Sequence, residues 1–310
     1  MTTDVISPTS RFASIRSNTV FMALLVYFFV TLQKPISHMF VVTFIYVIPD
    51  SATWKYLVSI AIGCIGVVLI YKGLKKDEVK GSLLGFFGAM LIWDSWFEMG
   101  VHFFEKANDI PMVKDAEGTP VLLGSHVILE MTSIFLIFML ITTMFQKDMR
   151  CRMLLWIRKT LGLREGLGKP TAGIKPQTSR IAASEYLFVN WFMYCLMIFT
   201  LDPRIAGTHH MFTYVLSAAI LVWSLYLLYK HSKQTEVGLM IRYAIGAGGV
   251  AWYNFEITTL WGWYNEFWVR PDLYPISCSI VLLLFIGIFT FLWKTPINPE
   301  TGKSLKLPRS

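Results

Sequence analysis

Charge is scarce in this chain. Asp, Glu, Lys and Arg together make up 15% of its 310 residues, while apolar residues make up 55% and the mean hydropathy is +0.53. Soluble domains carry roughly 25% charged residues, so the deficit argues for lipid as the solvent. Cysteine is scarce too. Cys64, Cys151, Cys195 and Cys278 lie far apart, three of them inside apolar runs, and no CxxC pair occurs. That excludes a disulfide framework or a zinc ribbon, and the four read as small buried hydrophobes. No small-residue cleavage site follows Arg11 and Arg16, so the first apolar run is expected to persist as a helix rather than leave as a signal peptide. The net charge of +8 would suit nucleic acid, but its basic residues sit between apolar runs. No nucleic-acid partner is expected.

What the chain does have is long apolar runs. A crossing helix needs about 20 mostly apolar residues, and eight candidates occur: 20–48, 54–71, 81–104, 126–145, 183–201, 211–229, 243–263 and 275–293. Lys34-Pro35 interrupts the first, which predicts one crossing with a kinked or interfacial second part. The predicted fold is an all-α polytopic helix bundle in a lipid bilayer. Segments 1–19, 72–80, 146–182, 230–242 and 294–310 hold 22 of the 28 Lys and Arg residues. That bias places both termini in the cytoplasm of a multi-pass protein of the cell or inner membrane. The basic segment 146–182 is expected to hold a short amphipathic helix, Met149–Leu161, lying on anionic lipid.

A shift of 158 residues aligns 56–98 with 214–256 without a gap. Fourteen of the 43 positions are identical, including Lys72/Lys230, Glu78/Glu236, Gly88/Gly246 and Glu98/Glu256. Composition alone would give about three. The chain therefore divides into a tail (1–19), a first four-helix repeat (20–145), a linker (146–182), a second four-helix repeat (183–293) and a second tail (294–310). Four helices per repeat is an even number, so the repeats should run parallel.

Charged residues within a membrane helix are costly and ask for a reason. Asp94, Glu98 and His102 are spaced by four and share a helix face; His126 and Glu130 repeat that spacing in the next helix. Glu256 is the repeat partner of Glu98. These residues predict one polar site in the outer half of the membrane, made of Glu98, His102, His126, Glu130 and Glu256, with Asp94 behind it. Carboxylate and imidazole pairs at this spacing are how helical bundles hold iron or similar metals. The bland alternative is a set of interhelical hydrogen bonds near the interface. Trp93, Trp96, Trp252, Trp261, Trp263 and Trp268 flank this region as an interfacial belt. Gly246, Gly248 and Gly249 are expected to allow close helix packing. His231 is placed in a loop, without a role.

Glu98, His102 and Ser125-His126-Val127-Ile128 resemble the C subunit of the copper membrane monooxygenases of the methane and ammonia type. In that family an acidic residue, a histidine four later and a Ser-His opening the next helix recur. Thr258 departs from the pattern, standing where a histidine should follow Asn254 by four. Trp93 through Glu98, and Glu130 with the Met-Thr after it, are similar in style to emopamil-binding-protein-like sterol isomerases. The first resemblance implies metal-assisted oxidation by copper or iron, with Glu98, His102, His126 and Glu130 as ligands and Glu256 as ligand or base. The second implies metal-free acid–base isomerisation, cyclisation or hydration by Glu98 and Glu256. In both, the partner is a hydrophobic small molecule drawn from the bilayer. A proton-coupled transporter is the non-enzymatic alternative. Association with itself or with other membrane subunits is compatible with all three.

Overall fold

A computed structural model gives the fold and describes residues 18–49, 53–115, 117–146, 152–163 and 177–308. The described residues are all-α apart from one two-stranded ribbon and an isolated bridge between Ile297 and Ser304. Helix α1 (Thr19–Val42) runs into a π-helical turn (Thr43–Val47). It is followed by α2 (Trp54–Gly73) and α3 (Glu78–Ile92), then a second π turn (Trp93–Glu98) and α4 (Met99–Ala107). The ribbon pairs β1 (Val113–Lys114) with β2 (Pro120–Leu122). After it come α5 (Gly124–Met131), α6 (Ser133–Met144), α7 (Arg152–Thr160), α8 (Thr178–Leu201), α9 (Met211–Ser232), α10 (Val237–Leu260) and α11 (Pro275–Trp293). Local chemistry sets several starts. Asn18 accepts from the Phe21 amide at 3.0 Å, Asp77 accepts from the Lys80 amide at 2.9 Å, and Pro275 opens α11.

Among the described residues, six helices are long and apolar enough to cross a membrane: Thr19–Val47, Trp54–Gly73, Gly124–Met144, Thr178–Leu201, Met211–Ser232 and Pro275–Trp293. The count of eight was higher by two. The remaining pair, α3 with its π turn and α4, and α10, carry Glu98 and Glu256 and pack among the other helices. Helices shielded from lipid can carry more polar residues, and that lowers their hydropathy. Outer elements show the converse: Ile134, Phe135 and Phe138 of α6 are all more than 60% exposed and have only lipid to face.

Two expectations about segments need correction. The first apolar run is one crossing, Thr19–Val47, as expected, but its irregular part begins at Thr43 and not at Lys34-Pro35, since α1 passes through Pro35. His231 is not a loop residue. It lies near the end of α9, fully buried, and its Nε2 donates to the Ala23 carbonyl of α1 at 2.8 Å. The amphipathic helix of the linker is seen over Arg152–Thr160, while residues 147–151 and 164–176 lie outside the described residues.

The repeat is visible in the element bounds. Moving α2 (54–73) and the start of α3 (78) by 158 gives 212–231 and 236, each within one residue of α9 and α10. Close packing in the first unit rests on glycine. A Cβ on Gly88 would lie 2.6 Å from the Gly66 carbonyl oxygen, and one on Gly66 would lie 2.5 Å from that of Gly88. In lipid, where apolar burial does not drive helices together, such approach is what holds them. Across the repeats, Arg242 of α10 reaches Glu78 of α3 at 2.6 Å and Ser82 at 2.9 Å, with both charged side chains about nine-tenths buried.

Candidate functional site

At the end of the bundle opposite the basic loops, a cavity of about 170 Å³ lies among α1, the second π turn, α4, α8 and α10. Helix α1 contributes a full face: Lys34, Ser37, His38, Val41 and Val42 recur at helical spacing and line it, with Ile45 of the first π turn beyond them. Lys34 lies 15 residues from the helix start, or about 22 Å along the axis. Trp93 and Glu98 enter from the π turn, His102 from α4, Asn190, Met193 and Tyr194 from α8, and Trp252 and Glu256 from α10.

The two glutamates related by the repeat are held alike. Glu98 accepts the indole N–H of Trp93 at 2.9 Å, and Glu256 accepts that of Trp252 at 2.6 Å. The spacing is five residues in one case and four in the other. A π turn closes with i to i+5 bonds, so five residues make the single turn that four make in α10. The pair differs in what else it meets. Glu256 contacts His38 Nε2 at 3.0 Å, an ion pair when the imidazole is protonated. Asp94 is fully buried behind the wall and receives the Ser37 hydroxyl, while Lys34 donates to the Asn190 side-chain oxygen. Three carboxyls, Lys34 and the imidazoles of His38 and His102 are thus gathered in and around the cavity.

The structure gathers some of the sequence-predicted residues and separates others. Glu98, His102 and Glu256 line the cavity, and Asp94 sits behind it through Ser37. His102 Nδ1 is 3.1 Å from Glu105, whose other oxygen accepts the Gly124 amide at 3.2 Å, so this histidine also ties α4 to the start of α5. His126 is one shell out, with Nε2 3.4 Å from the hydroxyl of Tyr194. Glu130 is directed to Arg204 at 3.0 Å, and Arg204 also binds Asp202. Among the described residues, no three His, Cys, Asp or Glu side chains are grouped so as to hold a metal. The four residues expected as copper or iron ligands therefore do not form one ligand set.

Lys34, Ser37, His38, Asn190 and Tyr194 were not anticipated in the site. A signal was present in the Lys34, Ser37, His38 spacing of three and four within an apolar run. Reading Lys34-Pro35 as a helix break hid it.

Asp202 caps the end of α8 outside the spanning segments. Its burial pushes its carboxyl upward, but hydrogen bonds from the Arg204 side chain and backbone outweigh that and hold it below the usual carboxylate range. A depressed folded-state value adds stability above the unfolded pKa and loses it as pH falls. Wild type and Asp202→Asn should therefore differ in unfolding midpoint at neutral pH and converge below about pH 4. A difference that stays constant across that range would refute the ion-pair account.

No protein-family model, curated protein or solved structure matches this chain. Its function must be argued from the cavity.

Proposed function

We propose that the cavity is the proton-transfer site of a membrane enzyme acting on an apolar substrate from the bilayer, without a metal. The observation that carries this reading is the His38–Glu256 contact at 3.0 Å in the same cavity as Glu98. A carboxylate that fixes an imidazole, with a second carboxyl across the space, is a set suited to separate acid and base roles. Carboxyls and imidazoles gathered in one cavity can pass a proton among them. Glu98 and the His38–Glu256 pair are the acid and base of this scheme; Lys34 and Asn190 polarise the wall. Isomerisation, cyclisation and hydration at an apolar carbon skeleton all need such a pair. Metal-assisted oxidation in this cavity would need ligands other than the expected four, since Glu130 is engaged by Arg204.

The test is solvent exchange. Full-length protein in nanodiscs is incubated in D2O with a total lipid extract of its native membrane, and lipids are screened by mass for deuterium gain at carbon. Deuterium gain that depends on Glu98 and Glu256 supports the proposal. No such gain, or stoichiometric copper or iron in the purified protein, overturns it.

A second reading, a proton-coupled carrier, is favoured by Met193, which lines both this cavity and a larger groove toward the basic loops. Proton-dependent flux in liposomes would select it. For either reading the basic loops are assigned to the cytoplasm. Cysteines introduced at Lys233 and Glu117 should accordingly label from opposite sides of sealed membranes; labelling from one side would reverse the assignment.

A further inference from the structure

The repeat is broken at Gly246, beside a groove. Gly88 of α3 is pressed against Gly66 of α2, yet at its partner Gly246 of α10 an added Cβ would meet no atom within 4 Å. The residue equivalent to Gly66 is Ser224 of α9. Gly248 and Gly249 do pack closely as expected, their Cβ positions lying 3.1 Å from Thr31 and 2.6 Å from Val189, but Gly246 faces open space. The Gly66–Gly88 contact thus has no counterpart at Gly246. The groove, of about 610 Å³, lies between α8, α9 and α10, closed at one end by α7. Trp156 of α7 meets Trp223 of α9 there, with ring centroids 6.2 Å apart.

The groove is polar at one end and apolar at the other. Lys159 and Lys230 stand exposed at its mouth, and Val189, Met193 and Val250 close its inner end. Arg242 is already paired with Glu78, and Glu185 is the acid among the lining residues. The two lysines give the mouth its positive charge, with the Lys230 ammonium 5.5 Å from the Tyr226 ring centroid. An aliphatic slot under a basic rim fits a molecule with a phosphate at one end and a chain at the other.

We propose that this groove binds an anionic phospholipid of the leaflet next to the basic loops, its phosphate on Lys159 and Lys230 and one acyl chain running past Gly246 toward Met193. The site is separate from the acid–base reading and does not depend on it. Whichever way that reading falls, the groove and its charge remain.

Delipidated full-length protein is titrated with phosphatidylglycerol or phosphatidylcholine of the same chains, and bound lipid is read by native mass spectrometry. Phosphatidylglycerol should be retained over phosphatidylcholine, and inorganic phosphate should not displace it. Lys159→Gln with Lys230→Gln should weaken it roughly 30-fold, at about 1 kcal/mol per basic residue. Gly246→Leu should abolish retention with the melting temperature unchanged, because the new side chain enters empty space. Equal retention of both lipids, displacement by inorganic phosphate, or unchanged retention in the double lysine variant would overturn the proposal.

Discussion

Glu256→Gln should lower turnover in the solvent-exchange assay by roughly 10²- to 10⁴-fold, the usual contribution of a positioned acid or base. The amide is nearly isosteric and can still accept the Trp252 indole N–H, so the bond at 2.6 Å and the fold should survive. What it loses is the negative charge that orients and stabilises a protonated His38. Glu98→Gln should have an effect of similar size, because it removes the opposite partner of the pair. Glu130→Gln provides the contrast. Its carboxylate serves Arg204 outside the cavity, so activity should change less than about threefold, a small fraction of the catalytic effect. Equal losses in all three variants, with folding intact, would contradict the division of roles.

The second large effect concerns stability. Glu78→Ala should reduce unfolding free energy in detergent micelles by about 3 kcal/mol, because Arg242 would be left buried without its partner. The cost lies in the orphaned charge more than in the lost bond. Replacing both partners by apolar residues, Glu78→Leu with Arg242→Met, should therefore recover most of the loss. If the double variant were as unstable as Glu78→Ala, the pair would be stabilising in its own right and this account would fail. The location makes the effect global, since the pair joins α3 to α10, and the site glutamates lie at the far ends of these elements, Glu98 in the π turn that follows α3 and Glu256 in α10.

Several features were legible in the chain itself. Apolar runs set the all-α membrane class, because a bilayer accepts few other ways of satisfying backbone polar groups. The gapless 158-residue repeat singled out Glu98 and Glu256 as partners, and both line one cavity. The i, i+4 spacing also put His102 on the face of Glu98, and both line the cavity. It failed for Glu130, because helical spacing says which residues share a face but not which neighbour that face meets. Arg204 is 74 residues away, in the turn after α8, and only the packing of α8 beside α5 and α6 brings it there.

Sequence alone determined the solvent, the number and rough bounds of the helices to within two crossings, the duplication, and the pair of carboxyls at its centre. These follow from local periodicity and composition, which each residue carries regardless of its neighbours. Tertiary structure decided that α1 continues through Pro35 and turns Lys34, Ser37 and His38 into the cavity. It also decided that Glu256 meets His38 while Glu130 meets Arg204, and that Gly246 borders a groove where Gly88 closes a contact. Those outcomes depend on which helix faces come together. In a bundle held by close packing and paired charges rather than by apolar burial, one-dimensional spacing does not contain that information.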